Sequence, residues 1–282
     1  MCAFKFDYNV SEQEYRNDPR LNFHTLLKFQ HDPKAFAEGY FDDDEVTDAM
    51  RFGTALHMRV LEPEKWVDNV AVYQAPINEK TGLPYGPTTK TAMEFKQGFM
   101  EANTGKTIIS GEDFDTIKFL SCNVQKHPVA SPLLSNKIAV EQAVFANLFG
   151  VEVKGRIDAL TESGLIDLKT TASLDDAFGR DKFIRAIYDY KYIVQLAFYE
   201  MILERQADCP DARIPCYIIA FEKNPPYRIA VYRISDDVIF SAKDVVGTWL
   251  SRWEYAHNTG IFDSKYYNSI QVIEKYDSVK DL

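Results

Sequence analysis

Residues 155–171, GRIDALTESGLIDLKTT, constrain the fold of this chain more than any other stretch. Residues two apart in a strand share a face, so Asp167 and Lys169 project together while Ile166 and Leu168 project the other way, into a core. A two-residue turn at Glu162-Ser163 then sets Asp158 opposite Asp167 and places Ile157 and Ala159 on the face of Ile166 and Leu168. The apolar face becomes continuous, which supports that register independently. A second turn at Phe149-Gly150 carries the argument one strand back and sets Glu141 opposite Asp158.

Three carboxylates then stand abreast. Anions at cross-strand distance repel and raise each other's pKa values, so the arrangement makes physical sense when a hard divalent cation binds there. Oxygen ligands of this kind favour magnesium, with manganese able to substitute, over zinc. Lys169, on the same face, is placed to polarise a phosphate or an attacking water. The plainer alternative is an ion-pair ladder of Asp158, Asp167 and Lys169 on an exposed sheet face. It leaves Glu141 unexplained, and also the polar pair Gln195 and Tyr199, which lie at i and i+4 beside an apolar stripe of Val194, Ala197, Phe198 and Met201.

The surrounding pattern is that of an α/β chain. Apolar residues recur at helical spacing over 22–61, interrupted by the acidic run Asp42-Asp43-Asp44-Glu45, which reads as a solvated loop. Residues 76–91 collect Gly, Pro and Thr and are expected to form an exposed, mobile loop carrying Lys80 and Lys90. A helix over about 112–126 should stop before His127-Pro128, because proline disfavours helical geometry in the residue before it. Strand chemistry follows over 137–171. Ser173 is placed to cap a helix reaching Ile187, and Asp189 a second one reaching about Arg205. Strands over 214–222 and 227–234 and a helix from Asp236 to about Tyr255 complete the layout. One domain is expected: helical over 1–70, the loop over 76–91, the α/β core over 137–235, and a C-terminal helix and tail over 236–282.

Composition bounds the function. The chain has 282 residues, 46% of them hydrophobic, which is enough for a large core. Its apolar runs fall far short of the roughly 20 residues that span a bilayer, so a membrane partner is not expected and the cytoplasm is the expected location. Four cysteines (Cys2, Cys122, Cys209, Cys216) have neither CxxC nor zinc-finger spacing and read as reduced thiols. A formal net charge of -10 speaks against nucleic acid only at long range, since an enzyme on DNA needs just a local basic groove. Residues 103–107, NTGKT, end like a phosphate-binding loop, but Met100 stands where that motif needs glycine, so no ATP site is expected.

Glu141, then Gly155 and Asp158, then Asp167-Leu168-Lys169 and a helix with Gln195 and Tyr199 resemble the motif order of RecB-like PD-(D/E)xK nucleases. YDYKYIVQLAFY and GTALHMRVLEP in particular resemble RecE-type exodeoxyribonuclease VIII and its phage and prophage relatives, and weaker similarity extends over about residues 10–205. The resemblance implies a restriction-endonuclease-like core, a central mixed sheet flanked by helices with a helical N-terminal region. It implies that His57 reaches the metal, that Glu141, Asp158 and Asp167 are the acidic positions, that Lys169 is the catalytic lysine, and that Gln195 and Tyr199 contact DNA. Glu152, on a neighbouring strand, competes with Glu141 for its role. The Leu168 carbonyl is a further metal ligand on this reading, and Lys80 and Lys90 are candidate backbone contacts. Some members of the superfamily hold an iron-sulfur cluster through four cysteines, three after the nuclease motif; only Cys209 and Cys216 lie there, so none is expected.

The activity implied is magnesium-dependent degradation of double-stranded DNA from 5′ ends, leaving 3′ single strands for a RecT-like single-strand annealing protein. A ring-shaped homo-oligomer around the duplex is implied as well. A non-catalytic DNA-binding or assembly protein on the same fold, and an endonuclease of the same superfamily, are the alternatives.

Overall fold

The structure, a computed structural model, describes Phe4, Phe6 and residues 10–41, 46–208 and 213–264. The acidic run 42–45, Cys2, Cys209 and the tail beyond Ser264 lie outside the described residues. The N-terminal part holds α1 (Glu12–Asn17), β1 (Leu21–Asn22), α2 (Phe23–His31), α3 (Pro33–Ala37), α4 (Asp48–Leu61), α5 (Trp66–Asn69), β2 (Val70–Tyr73), α6 (Lys90–Ala102), β3 (Thr107–Ser110), α7 (Gly111–Lys126) and α8 (Ala130–Leu133). There follow β4 (Lys137–Leu148), β5 (Val151–Thr161), β6 (Gly164–Thr171), α9 (Lys182–Asp189), α10 (Tyr192–Gln206), β7 (Cys216–Glu222), β8 (Ile229–Ile234) and α11 (Asp236–Thr259). Among the described residues, no helix is long and apolar enough to cross a membrane.

Local chemistry sets most helix starts. Asn22, Asp32, Thr47 and Ser110 each accept a backbone N–H of the first turn of α2, α3, α4 and α7, and Pro33 fits the first turn of α3. α7 ends at Lys126, before His127-Pro128 as the proline requires. Phe149 and Gly150 both have positive φ, 52° and 85°, which suits the tight turn joining β4 to β5.

Six strands form a mixed sheet. β4 pairs antiparallel with β5 along one edge, β5 with β6 and β7 with β8 are antiparallel, and β6 with β7 is parallel. The other edge of β5 is shared. β1 runs parallel to it at Val153 and Lys154, and β6 pairs with it from Ala159 to Thr161, so residues 155–158 have no strand partner on that side.

Helices cover both faces. On one, α2, α9, α10 and α11 enclose Leu26, Phe29, Phe183, Phe198 and Leu250 with Val153, Ile157, Leu165 and Ile218 of the sheet. On the other, α4 and α7 bury Phe52, Leu56, Ile117 and Leu120 against Ala159, Ile166, Leu168 and Ile219.

Several expectations need correction. Ser173 caps no helix: its hydroxyl donates to the Asp175 carbonyl and to Glu222, and the cap of α9 is Asp181, whose carboxylate accepts from Ile184. Asp189 ends α9 and does not start α10, which begins after Lys191 in a left-handed conformation, φ 59°. Lys90 opens α6 and lies outside the loop, which spans residues 74–89 and contains a turn closed by Asn78 N–H to the Leu83 carbonyl at 2.8 Å. α10 buries residues on almost every side because it lies between the sheet and α11, so its apolar surface is wider than the stripe expected for it. The β1 contact and the parallel pair β2–β3 are additional to the expected strands.

Candidate active site

The uncovered stretch of β5 is where the predicted residues meet. Asp158 lies at the point where β5 and β6 separate, and its Oδ2 accepts the backbone N–H of Leu168 at 2.7 Å. This bond closes the fork between the strands and holds the carboxylate in place. Glu141 stands opposite Asp158 by count, between Val140↔Ala159 and Gln142↔Ile157, but takes a left-handed backbone with φ 46°. That conformation is strained for a non-glycine residue, and such strain gathers at functional positions. His57 arrives from α4 on the other face, its Nδ1 3.5 Å from Asp158 Oδ2 and 3.9 Å from Glu141 Oε1. One ligand atom from each of His57, Glu141 and Asp158 lies within 4.8 Å of the other two.

Asp167 is 2% exposed, and its Oδ2 lies 2.6 Å from Lys169 Nζ. The ammonium also stands 4.7 Å from the ring centroid of Tyr192, at the start of α10. From the same helix Gln195 donates to the Tyr199 hydroxyl at 3.1 Å, and the Tyr199 ring covers Gly155 so closely that a Cβ there would sit 2.8 Å from it. The structure thus brings His57, Glu141 and Asp158 into one donor group, with Asp167 and Lys169 as an ion pair beside it. Glu152 is elsewhere: its carboxylate accepts from Asn147 at 2.6 Å, near the β4–β5 turn. Lys80 lies in the loop turn, and Lys90 is 3.7 Å from Glu94 on its own helix; among the described residues neither has an ion pair or hydrogen bond to the acidic group.

Electrostatics mark the same place. Burial, and then Asp158, push the Glu141 carboxyl up to about 8. Burial likewise raises Asp167 against the opposing pull of Lys169. Burial works against the Lys169 ammonium, but Asp167 and Asp158 outweigh it and hold its pKa above the ordinary value. Two carboxyls that resist ionisation beside a third and an imidazole are a donor set suited to a divalent cation, whose charge removes the conflict.

Residues 22–265 match the family described as a PDDEXK-like domain of unknown function (DUF3799). The chain belongs to this family. The match supports the sequence resemblance to the PD-(D/E)xK nuclease superfamily. No curated protein matches the chain. A solved structure of a candidate exonuclease from Eubacterium rectale is similar with a TM-score of 0.63 and 16% identity, covering 97% of this chain and 98% of that one; at this identity the likeness concerns the fold. LHK-Exo in complex with dAMP is a more distant match, with a TM-score of 0.26 and 14% identity over 74% of this chain and 92% of that one.

Three neighbours of the candidate site residues carry no signal of their own in the sequence motifs. Tyr192 precedes Gln195 by three positions, a helical spacing that places it beside that residue. Arg156 precedes Asp158 by two in the same strand, and its charge acts on Glu141. Tyr15 packs beneath Arg156 from α1, and no local pattern could have announced it.

Proposed function

We propose that this protein is a divalent-metal-dependent exonuclease acting on double-stranded DNA ends. The observation that carries the reading is the convergence of His57, Glu141 and Asp158 with the Asp167–Lys169 pair at the uncovered stretch of β5. A divalent cation, magnesium or manganese, supplies Lewis-acid stabilisation of the charge that grows on the phosphate and the leaving oxygen. His57, Glu141 and Asp158 would hold it, with Asp167 and the Leu168 carbonyl as further ligands. Lys169, kept cationic by its neighbours, offsets phosphate charge and orients a water molecule. Gln195 and Tyr199 position the strand, and Lys80 and Lys90 contact its backbone farther out.

The direction and context come from the resemblance to RecE-type enzymes. Degradation runs from 5′ ends, the 3′ strand left behind goes to a RecT-like annealing protein, and a ring of identical subunits in the cytoplasm keeps the duplex enclosed. Enclosure reconciles processive digestion with a net charge of -10, because a minority of the 32 Lys and Arg residues suffices to line a channel.

The test is incubation of purified protein with linear and covalently closed duplex DNA, with magnesium and with chelator. Degradation of the linear form alone, dependent on the metal and lost in Asp167→Asn with the fold retained, is the expected result. Cleavage of closed circles indicates an endonuclease instead. Full activity in chelator or in Asp167→Asn refutes the metal site.

A further inference from the structure

One strongly basic side chain beside the carboxylates has no role in the scheme above. Arg156 lies in the uncovered stretch of β5, two residues before Asp158, and close enough to Glu141 for its charge to act on that carboxyl. Its side chain is 20% exposed. The guanidinium stands 4.9 Å from the Tyr15 ring centroid, Nη1 is paired with Glu12 of α1, and Nε is buried with no hydrogen-bond partner among the described residues. A guanidinium is a planar fork of five donors, and here only part of it is used.

The partner is as informative as the arginine. α1 has no fully buried residue: Tyr15 at its middle packs on Phe145 of β4 and under Lys154 and Arg156, and polar contacts to β5 hold its two ends. At its C-terminal end Lys154, 3% exposed, donates to the carbonyls of Tyr15 and Asp18 at 2.6 and 2.7 Å. That contact is buried and satisfies helix-terminal acceptors. At its N-terminal end Arg156 holds the Glu12 carboxylate, which is 59% exposed and is also held by Arg16 at 2.8 Å. An ion pair with so exposed a partner is worth about 0–1 kcal/mol. It is therefore the exchangeable end of the strap. A carboxylate and a phosphodiester offer a guanidinium the same pair of anionic oxygens, so one replaces the other without new geometry.

We propose that Arg156 binds a backbone phosphate of the nucleic-acid strand being processed, and that Glu12 occupies it as an internal stand-in for that phosphate until the strand arrives. The inference rests on the nuclease reading and assigns this chain's α1 a competing role at the same site. Lys154 keeps α1 attached during the exchange, so only the Glu12 end has to let go.

The alternative is that Arg156 and Glu12 form a strut that merely fixes α1. The two ideas differ in sign. A strut is broken equally by Arg156→Gln and by Glu12→Gln, so both variants would shift DNA binding in the same direction. Competition predicts opposite shifts. Binding of a duplex oligonucleotide is measured in chelator by fluorescence anisotropy over a salt series, and KM and kcat are measured with magnesium. Arg156→Gln should weaken binding about tenfold or more, as expected for a charge-assisted hydrogen bond, raise KM more than it lowers kcat, and reduce the salt slope by about one counterion. Arg156→Lys should recover part of the affinity. Glu12→Gln should tighten binding about two- to fivefold, the range released by breaking a weak exposed pair, with the salt slope unchanged. Should Arg156→Gln fail to fold, the tightening by Glu12→Gln still decides. Parallel weakening by both variants, or no change in either, overturns the proposal while wild-type cleavage leaves the nuclease reading standing; a wild type that neither binds nor cuts DNA overturns both.

Discussion

Gly155 offers a sharp test of how the site is packed. In an open strand, replacing glycine by alanine at an ordinary φ stabilises a protein by about 0.4–1 kcal/mol, because the unfolded chain loses freedom. Gly155 is not among the residues with positive φ, so on backbone grounds alone Gly155→Ala should be neutral or helpful. Packing reverses the sign. The new Cβ would lie 2.8 and 2.9 Å from Cε1 and Cδ1 of Tyr199 and 3.3 Å from Cγ2 of Val144. Carbon atoms settle about 3.5–4.0 Å apart, so the ring must retreat by roughly 0.7 Å. It has little room, since Tyr199 lies on a helix buried on nearly all sides and its hydroxyl is held by Gln195. Overpacking of this kind destabilises by about 1–3 kcal/mol, which lowers Tm by roughly 2–12 °C. Calorimetry on Gly155→Ala, Tyr199→Leu and the double variant checks the reasoning. The second substitution should relieve the first, with a coupling of about 1 kcal/mol or more. A Gly155→Ala protein as stable as wild type, or strictly additive effects, refutes the close-approach argument and with it the view that this glycine sets the position of the Gln195–Tyr199 pair.

Other outcomes follow from the same geometry. Because Glu141 is raised in the folded state to about 8 from an ordinary value near 4.5, its contribution to metal-free stability is full below the unfolded pKa and is lost as pH rises through about 8; thermal melts in chelator should fall over that window by on the order of a few kcal/mol, and Glu141→Gln should flatten the fall. Glu222 behaves oppositely: the Arg228 side chain, with backbone N–H groups of Leu174 and Arg228, holds its carboxyl down to about 2, so its contribution is present above the unfolded pKa and is lost as pH falls toward 2, and Arg228→Ala should reduce that acid-side dependence in urea titrations. Replacing Lys80 and Lys90 together by alanine should lower the salt dependence of DNA binding by up to about two counterions; an unchanged slope would make the loop only a connection. Light scattering combined with digestion in excess competitor DNA tests the ring: a monomer whose products shorten in step with competitor defeats it.

The parts of the site that were legible in the sequence are those governed by local period. A two-residue turn fixes register, so the relation of Asp158 to Asp167 and of Glu141 to Asp158 emerges with the correct count; the faces follow less well, since Ile157 packs in the core opposite the one that holds Ala159, Ile166 and Leu168. The helix caps at 173 and 189 failed for a related reason. Ser and Asp are competent caps wherever they occur, and what denied Ser173 that part was a long-range demand, the Glu222–Arg228 network that claims its hydroxyl. β1 could not be seen because two residues have no period, yet it bounds the gap where the carboxylates gather. The left-handed backbone at Glu141 was equally hidden: alternation places its side chain by parity, whereas the structure re-aims it by a local kink. His57 shows the limit most plainly. Its helix explains its neighbours Ala55 and Leu56 as core residues but says nothing of what a single imidazole at the rim would face. That is settled by where α4 packs against β5 and β6, so the geometry of the proposed metal site is a property of the topology, and only its acidic strand positions are written in the local pattern.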